Sequence, residues 1–243
     1  MLTESDLVRY GRQILYTDFG EEGQRRLKRS HVVVAGLGGL GSASSVYLAC
    51  AGIGHITVVD GDFVELSNLN RQILHWEEDI GERKTLSAVR KLAKLNPSVE
   101  VTPLFERITP SNVGGIIEGA HTVIDGMDNF ETRFILNSAC VGAGIPFIHA
   151  GINGLLGEVT TIIPRKTPCF ACIFPQGPAE EGAIPVFGVT PALMAALQVT
   201  EAVKLLAGFG DLLAGKMLYY NGETMEFTVD DLVRDPECSV CGF

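Results

Sequence analysis

The run His31-Val32-Val33-Val34-Ala35 opens directly into Gly36-Leu37-Gly38-Gly39-Leu40-Gly41-Ser42, and this junction restricts the fold more than any other part of the chain. A β-branched run of that length reads as a buried strand. The small and apolar residues from Ser42 to Ala51 read as the helix that follows. Glycines between a strand and a helix admit a tight turn and let backbone N–H groups approach an anion at the positive end of the helix dipole. The next strand, Ile56 to Val59, ends at Asp60, where a carboxylate can accept hydrogen bonds from ribose hydroxyls. Strand, glycine turn, helix, strand and acid in this order describe a nucleotide-binding unit, with Gly36, Gly38, Gly39, Gly41 and Asp60 as its candidate contacts.

The alternation continues along the chain. Helical stretches at Ser5 to Leu15 and Glu21 to Lys28 precede the first strand, and an irregular polar segment, Ser67 to Gln72, follows the second. A helix is expected from about Glu82 to Leu95, where Ala88, Val89, Leu92 and Leu95 form an apolar stripe. Val99 to Leu104 and Thr122 to Asp125 read as strands, Ser111 to Glu118 and Asn129 to Val141 as helices, and Pro146 to His149 as a further strand. Such alternation predicts an α/β fold: a Rossmann-like, doubly wound, mainly parallel sheet with helices on both faces. Strands expected at Leu155 to Ile163, Met217 to Tyr220 and Glu226 to Val229 extend the sheet, and Thr190 to Ala207 is a long helix of small and apolar residues suited to close packing, in a core more than at a dimer interface. With 243 residues and 46% hydrophobic content, the chain fits one α/β domain with a C-terminal extension.

Ligands of open α/β sheets bind beyond the carboxyl ends of the strands. Those ends present Gly36 to Gly41, Asp60 with Asp62, and Asp125-Gly126-Met127-Asp128-Asn129. Asn68, Arg71 and Lys84 follow the second strand; a dinucleotide dehydrogenase leaves them without a role, and they suit chemistry on ATP itself. Moving a nucleotidyl group requires positive charge around the α-phosphate and the departing pyrophosphate, for which Arg71 and Lys84 are the candidates. Asn68 can orient phosphate or ribose, or brace its own loop. Asp128 is the candidate for Mg²⁺, a hard ion that prefers oxygen ligands, with an N-cap as its other reading. Asp125 is expected to face inward or to tune the loop.

Six cysteines divide into two kinds. Cys169-Phe170-Ala171-Cys172 and Cys238-Ser239-Val240-Cys241 are CxxC pairs that can converge as four thiolates around a structural Zn²⁺, leaving no position open for water. Cys50 and Cys140 read as buried core residues. The net charge of −10 disfavours nucleic acid and anionic membrane as partners. The densest basic cluster, Arg25-Arg26-Leu27-Lys28-Arg29, reads as a solvated helix face. No basic-then-apolar leader opens the chain and no run approaches about twenty apolar residues, so a cytoplasmic location is expected.

Together these residues resemble the MoeB/ThiF/HesA family, bacterial relatives of ubiquitin-activating enzymes. The matching motifs are Arg9-Tyr10-Gly11-Arg12-Gln13, the glycine loop, Asp60, Ser67 to Gln72, Gly81 with Lys84, Asp128-Asn129 followed by Arg133, and both CxxC pairs. The resemblance covers nearly the whole chain. It implies ATP-dependent adenylation of the C-terminal glycine of a ubiquitin-like sulfur carrier protein ending in Gly-Gly, with release of pyrophosphate, in thiamine or molybdopterin types of cofactor synthesis. It implies a nucleotide site of Gly39, Asp60 at ribose, Asn68, Arg71 and Lys84 at phosphates, and Asp128-Asn129, with Asp128 essential and helping to bind Mg²⁺. It also implies a homodimer in which Arg12 reaches the partner's active site; without it, Arg12 reads as an exposed helix charge.

One departure qualifies the resemblance. Several relatives carry a cysteine in the loop that crosses the active site, whereas Phe174 to Gly188 here contains none, so the reaction is expected to stop at the adenylate and leave sulfur delivery to a separate donor. The glycines and prolines of that loop suggest that it closes over an extended tail. The expected organisation is one adenylation domain over 1–243: N-terminal helices in 1–30, a nucleotide-binding part in 31–150, and a carrier-binding part in 151–243 with crossover loop and zinc clip. Alternatives are a short peptide as acceptor, an NAD-dependent oxidoreductase sharing the glycine loop and Asp60, and a nucleotide-holding scaffold without turnover.

Overall fold

The computed structural model describes residues 1–175, 177 and 184–242. Two helices, α1 (Glu4–Ile14) and α2 (Gly20–Arg29), precede the sheet. Thr3 caps α1 in a reciprocal box with Asp6, satisfying backbone donors that a helix start leaves free. The core then runs β1 (His31–Ala35), α3 (Gly39–Ala51), β2 (His55–Val59), α4 (Lys84–Leu95), β3 (Glu100–Leu104), α5 (Val113–Ile117), β4 (Thr122–Asp125), α6 (Phe130–Ala143) and β5 (Phe147–Asn153). It continues through β6 (Leu156–Ile162), α7 (Phe170–Ile173), α8 (Val189–Ala207), β7 (Lys216–Asn221) and β8 (Glu226–Asp231).

The strands form one eight-stranded sheet in the order β3-β2-β1-β4-β5-β6-β7-β8. Pairings from β3 across to β5 are parallel, and those from β5 to β8 are antiparallel. This is the expected Rossmann-like sheet with a C-terminal extension, and its chain reversal beside β1 puts the ends of β1, β2 and β4 around one crevice. Apolar residues fill both faces. One core packs Leu48, Ile56, Leu92 and Ile124 with α3, α4 and α8; the other packs Val33, Val123, Leu136 and Phe170 with α5, α6 and α7. Each such fully buried aliphatic side chain contributes about 2 kcal/mol of transfer free energy.

Several local expectations change. Helix α3 begins at Gly39, three residues before Ser42, because the glycine turn itself supplies the first helical residues. Strand β5 runs past His149 to Asn153, since Ala150, Gly151, Ile152 and Asn153 pair with β6 although their glycine suggests a turn. The segment after β2 holds two short 3₁₀ turns, Leu66–Asn68 and Glu77–Asp79. Cys140 is buried as expected, but Cys50 is exposed: it lies in the last turn of α3, whose inward positions are taken by Leu48 and Ala49. The basic cluster of α2 is not wholly solvated, because Leu27 is buried, Lys28 pairs with buried Asp6, and Arg26 donates to the Ala207 carbonyl at 2.9 Å. Helix α8 is, among the described residues, the one helix long and apolar enough to cross a membrane; here it packs on α3, α2, β5 and β6. The crossover segment whose closure the sequence suggests lies outside the described residues at Gln176 and from Pro178 to Ala183.

Candidate active site

The glycine loop is shaped by close backbone approach. Gly36 has φ of +88°, and a Cβ there would come within 2.7 Å of the Gly126 carbonyl oxygen. A Cβ on Gly41 would meet the Gly36 carbonyl oxygen at 1.8 Å, so this position lets α3 start tightly against the turn. Gly36, Gly38 and Gly39 line the cleft beyond the sheet; Gly41 lies behind them and supports the turn sterically. Among the described residues, the N–H groups of Gly38, Gly39 and Leu40 have no protein acceptor, as the first turn of a helix dictates. They are available to an anion.

The cleft has a volume of about 760 Å³. On one wall Asp60 Oδ2 accepts the Leu37 N–H at 2.7 Å, and its Oδ1 accepts the Asp62 N–H at 2.8 Å. Lys84 Nζ stands 3.9 Å from Asp60 and 3.5 Å from Asp62, with its side chain nearly buried. Burial raises the Asp60 carboxyl above its usual range, and the Lys84 charge and two backbone donors oppose that rise. Arg71 lines the same space, its guanidinium held by the Ser67 carbonyl at 2.8 Å and Asn70 Oδ1 at 2.9 Å.

Opposite them, the turn after β4 brings Asp128 and Asn129 to the cleft. Asn129, not Asp128, caps α6, its Oδ1 accepting the Thr132 N–H at 2.8 Å. The exposed Asp128 carboxylate therefore keeps only a 3.4 Å contact with Asn129 Nδ2 and retains oxygen lone pairs for a hard cation. Beneath this turn, wholly buried Asp125 meets Arg133 Nε at 3.0 Å and His149 Nδ1 at 2.6 Å. Burial pushes the Asp125 carboxyl up, but the charge of Arg133 and the His149 contact win and hold it below the ordinary value.

Besides Gly41, two candidates do not reach the cleft. Asn68 is nearly buried, and its Oδ1 accepts the Glu65 N–H at 3.0 Å, so in this arrangement it braces the 3₁₀ turn. Arg12 is exposed in the last turn of α1 and does not line the cleft of its own chain. Sequence reasoning missed Arg107, which lines the cleft 3.6 Å from Asp62, and the Ile108-Thr109-Pro110 wall beside it. Applying the carboxyl-end rule to β3 as well as to β1, β2 and β4 finds them.

Where α7 meets the C-terminal segment, the four CxxC thiols converge. The sulfurs lie within 4.8 Å of one another, with Cys169 to Cys238 at 3.7 Å, Cys172 to Cys241 at 3.4 Å and Cys169 to Cys172 at 4.0 Å. A tetrahedron with Zn–S bonds of about 2.3 Å has S···S edges of about 3.8 Å, so this donor set fits zinc. It would clip α7 to the C-terminal segment.

Comparison with known proteins agrees with this architecture. The family model described as "ThiF family" matches residues 10–240. The chain is 42% identical over 247 residues to the SAMP-activating enzyme E1 of Haloferax volcanii, covering 99% of this chain and 91% of that protein. It is 42% identical over 251 residues to the sulfur carrier protein adenylyltransferase of Thermus thermophilus, covering 99% and 92%. Among solved structures, E. coli MccB with ATP superimposes with a TM-score of 0.87 at 29% identity, covering 96% of this chain and 74% of MccB. With a glycine-loop cleft, a four-thiol cluster and similarity along nearly its whole length, the chain belongs to the ThiF family.

Proposed function

We propose that this protein adenylates the C-terminal glycine of a ubiquitin-like sulfur carrier protein, using ATP and releasing pyrophosphate. The observation that carries the reading is the cleft itself: in a ThiF-family chain, open loop N–H groups and Asp60 face one space with Lys84, Arg71 and the uncapped carboxylate of Asp128. Asp60 receives the ribose, while the loop N–H groups, Arg71 and Lys84 hold the phosphates. The carrier carboxylate attacks the α-phosphorus, the bond to the β-phosphate oxygen breaks, and an acyl adenylate and pyrophosphate result. Mg²⁺ held through Asp128 would neutralise charge on the leaving pyrophosphate. No side chain acts as nucleophile, so positioning and charge neutralisation supply the acceleration.

Residues 31–150 hold the nucleotide in this scheme, and 151–243 receive the carrier. Two copies form a homodimer in which Arg12 of one serves the cleft of the other, which accounts for its distance from its own. The reaction takes place in the cytoplasm within sulfur transfer of the thiamine or molybdopterin type. It stops at the adenylate, because the segment from Phe174 to Gly188 has no cysteine to form a thioester. The test is ATP–pyrophosphate exchange with Mg²⁺ and carriers ending in Gly-Gly, beside the same carriers lacking the last glycine. Exchange that requires the intact tail is expected; its absence with every carrier would overturn the reading. The likeness to MccB, solved with AMPCPP and MccA, keeps a short peptide as the second reading, and exchange driven by a peptide alone would select it.

A further inference from the structure

Behind the glycine loop lies a chain of hydrogen bonds that the proposed reaction does not use. His75 is 3% exposed; its Nδ1 lies 2.9 Å from Ser87 Oγ and its Nε2 lies 3.2 Å from the Leu37 carbonyl oxygen. Lys91 Nζ donates to the same Ser87 oxygen at 3.0 Å and is itself paired with buried Asp79. The proton positions follow from the chemistry of the groups. Lys91 has only donors, so Ser87 accepts from it and directs its own hydrogen at His75 Nδ1. The imidazole hydrogen then resides on Nε2 and is donated to the Leu37 carbonyl, which can only accept.

The Leu37 residue is thus gripped from two sides, its N–H by Asp60 at 2.7 Å and its carbonyl by His75. Because a trans peptide sets its C=O and the next N–H in opposite directions, a Leu37 carbonyl held toward the interior turns the Gly38 N–H the other way. Gly38 lines the cleft, and its N–H has no acceptor among the described residues. We propose that His75, oriented by Ser87 and Lys91, is a positioning residue that fixes the Leu37–Gly38 peptide so that the glycine loop presents its N–H groups to the nucleotide phosphates. This rests on the adenylation reading only in that a nucleotide occupies the cleft.

The experiment compares full-length wild type with His75→Leu, His75→Gln and Ser87→Ala, measuring KM and Kd for ATP and, separately, Ki for adenosine, which has no phosphates. His75→Leu is expected to weaken ATP about tenfold while adenosine changes less than about twofold. His75→Gln, which returns an N–H donor near the Nε2 position, recovers most of the loss. Ser87→Ala, which removes one hydroxyl from a buried helix face, is expected to shift ATP in the same direction by about threefold and decides the matter if the leucine variant does not fold. Equal losses for ATP and adenosine, or unchanged ATP affinity in folded variants, would overturn the proposal. Wild type that binds no ATP would remove the nucleotide reading and this inference together, an outcome visible before any variant is made.

Discussion

Arg133 spans the turn that carries Asp128: its Nε lies 3.0 Å from the buried carboxylate of Asp125 while its Nη2 donates to the Met127 carbonyl at 2.7 Å and to the Ala150 carbonyl at 3.1 Å. The Nε contact is ionic in character, since Nε has no aligned hydrogen bond. Removing one partner strands the other charge in the interior, which costs about 3–5 kcal/mol. Arg133→Leu is therefore expected to lower the urea midpoint and to reduce pyrophosphate exchange in whatever protein remains folded. An unchanged midpoint would show that the pair does not hold the turn.

Acid sensitivity has a definite source. Burial, with the positive charges of Lys91 and Lys84 acting in the same direction against the Leu37 bond and Asp79, lowers the His75 pKa to about 4. In the unfolded chain the imidazole titrates near 6.5, so between these values the unfolded state binds a proton that the folded state refuses. Stability from this group is complete above about pH 6.5 and declines as pH falls toward 4, by about 3 kcal/mol in all. Asp125, held low, adds its own loss only at more acid pH, below the ordinary carboxylate value. Chemical denaturation of wild type and His75→Gln between pH 8 and 4 checks this: the slope over that window is expected to shrink in the variant.

The four thiols predict a metal-dependent clip between α7 and the C-terminal segment. Purified protein is expected to contain one zinc per chain by elemental analysis, and exhaustive chelation or Cys238→Ser is expected to remove it. A loss of about 3 kcal/mol on removal would lower Tm by roughly 6–12 °C. A metal-free protein with an unaltered melting curve would refute the structural assignment.

Asp128→Ala and Lys84→Met are each expected to reduce pyrophosphate exchange by about a hundredfold or more, with little change in Tm for Asp128, which is exposed. Full exchange in either would remove that residue from the proposed machinery.

Arg12→Ala is expected to be equally inactive, yet mixing it with Asp128→Ala by unfolding and refolding should restore activity. Random pairing in a symmetric dimer assembles one intact site in half of the dimers, which returns about a quarter of wild-type exchange. No recovery would argue that Arg12 does not act across a subunit interface.

Local chemistry in the chain already carried the glycine turn, the acid at the end of β2, the helix–strand alternation and the two CxxC pairs, because each is written in residues adjacent in sequence and constrained by backbone geometry or ligand spacing. What it did not carry depends on residues far apart. Asp125, Arg133 and His149 become a cluster only when β4, α6 and β5 are neighbours. Cys50 faces outward because of the rotation of α3 against the sheet, and Asn68 turns into its own loop, where its Oδ1 accepts the Glu65 N–H. His75 and Leu37 are separated by 38 positions, and nothing in either neighbourhood announces their contact. Sequence by itself determined which secondary elements form and which chemistry they bring; the order of strands, the depth of each side chain and the direction of each peptide were decided by tertiary packing, where burial makes an unpaired polar group too costly to leave alone.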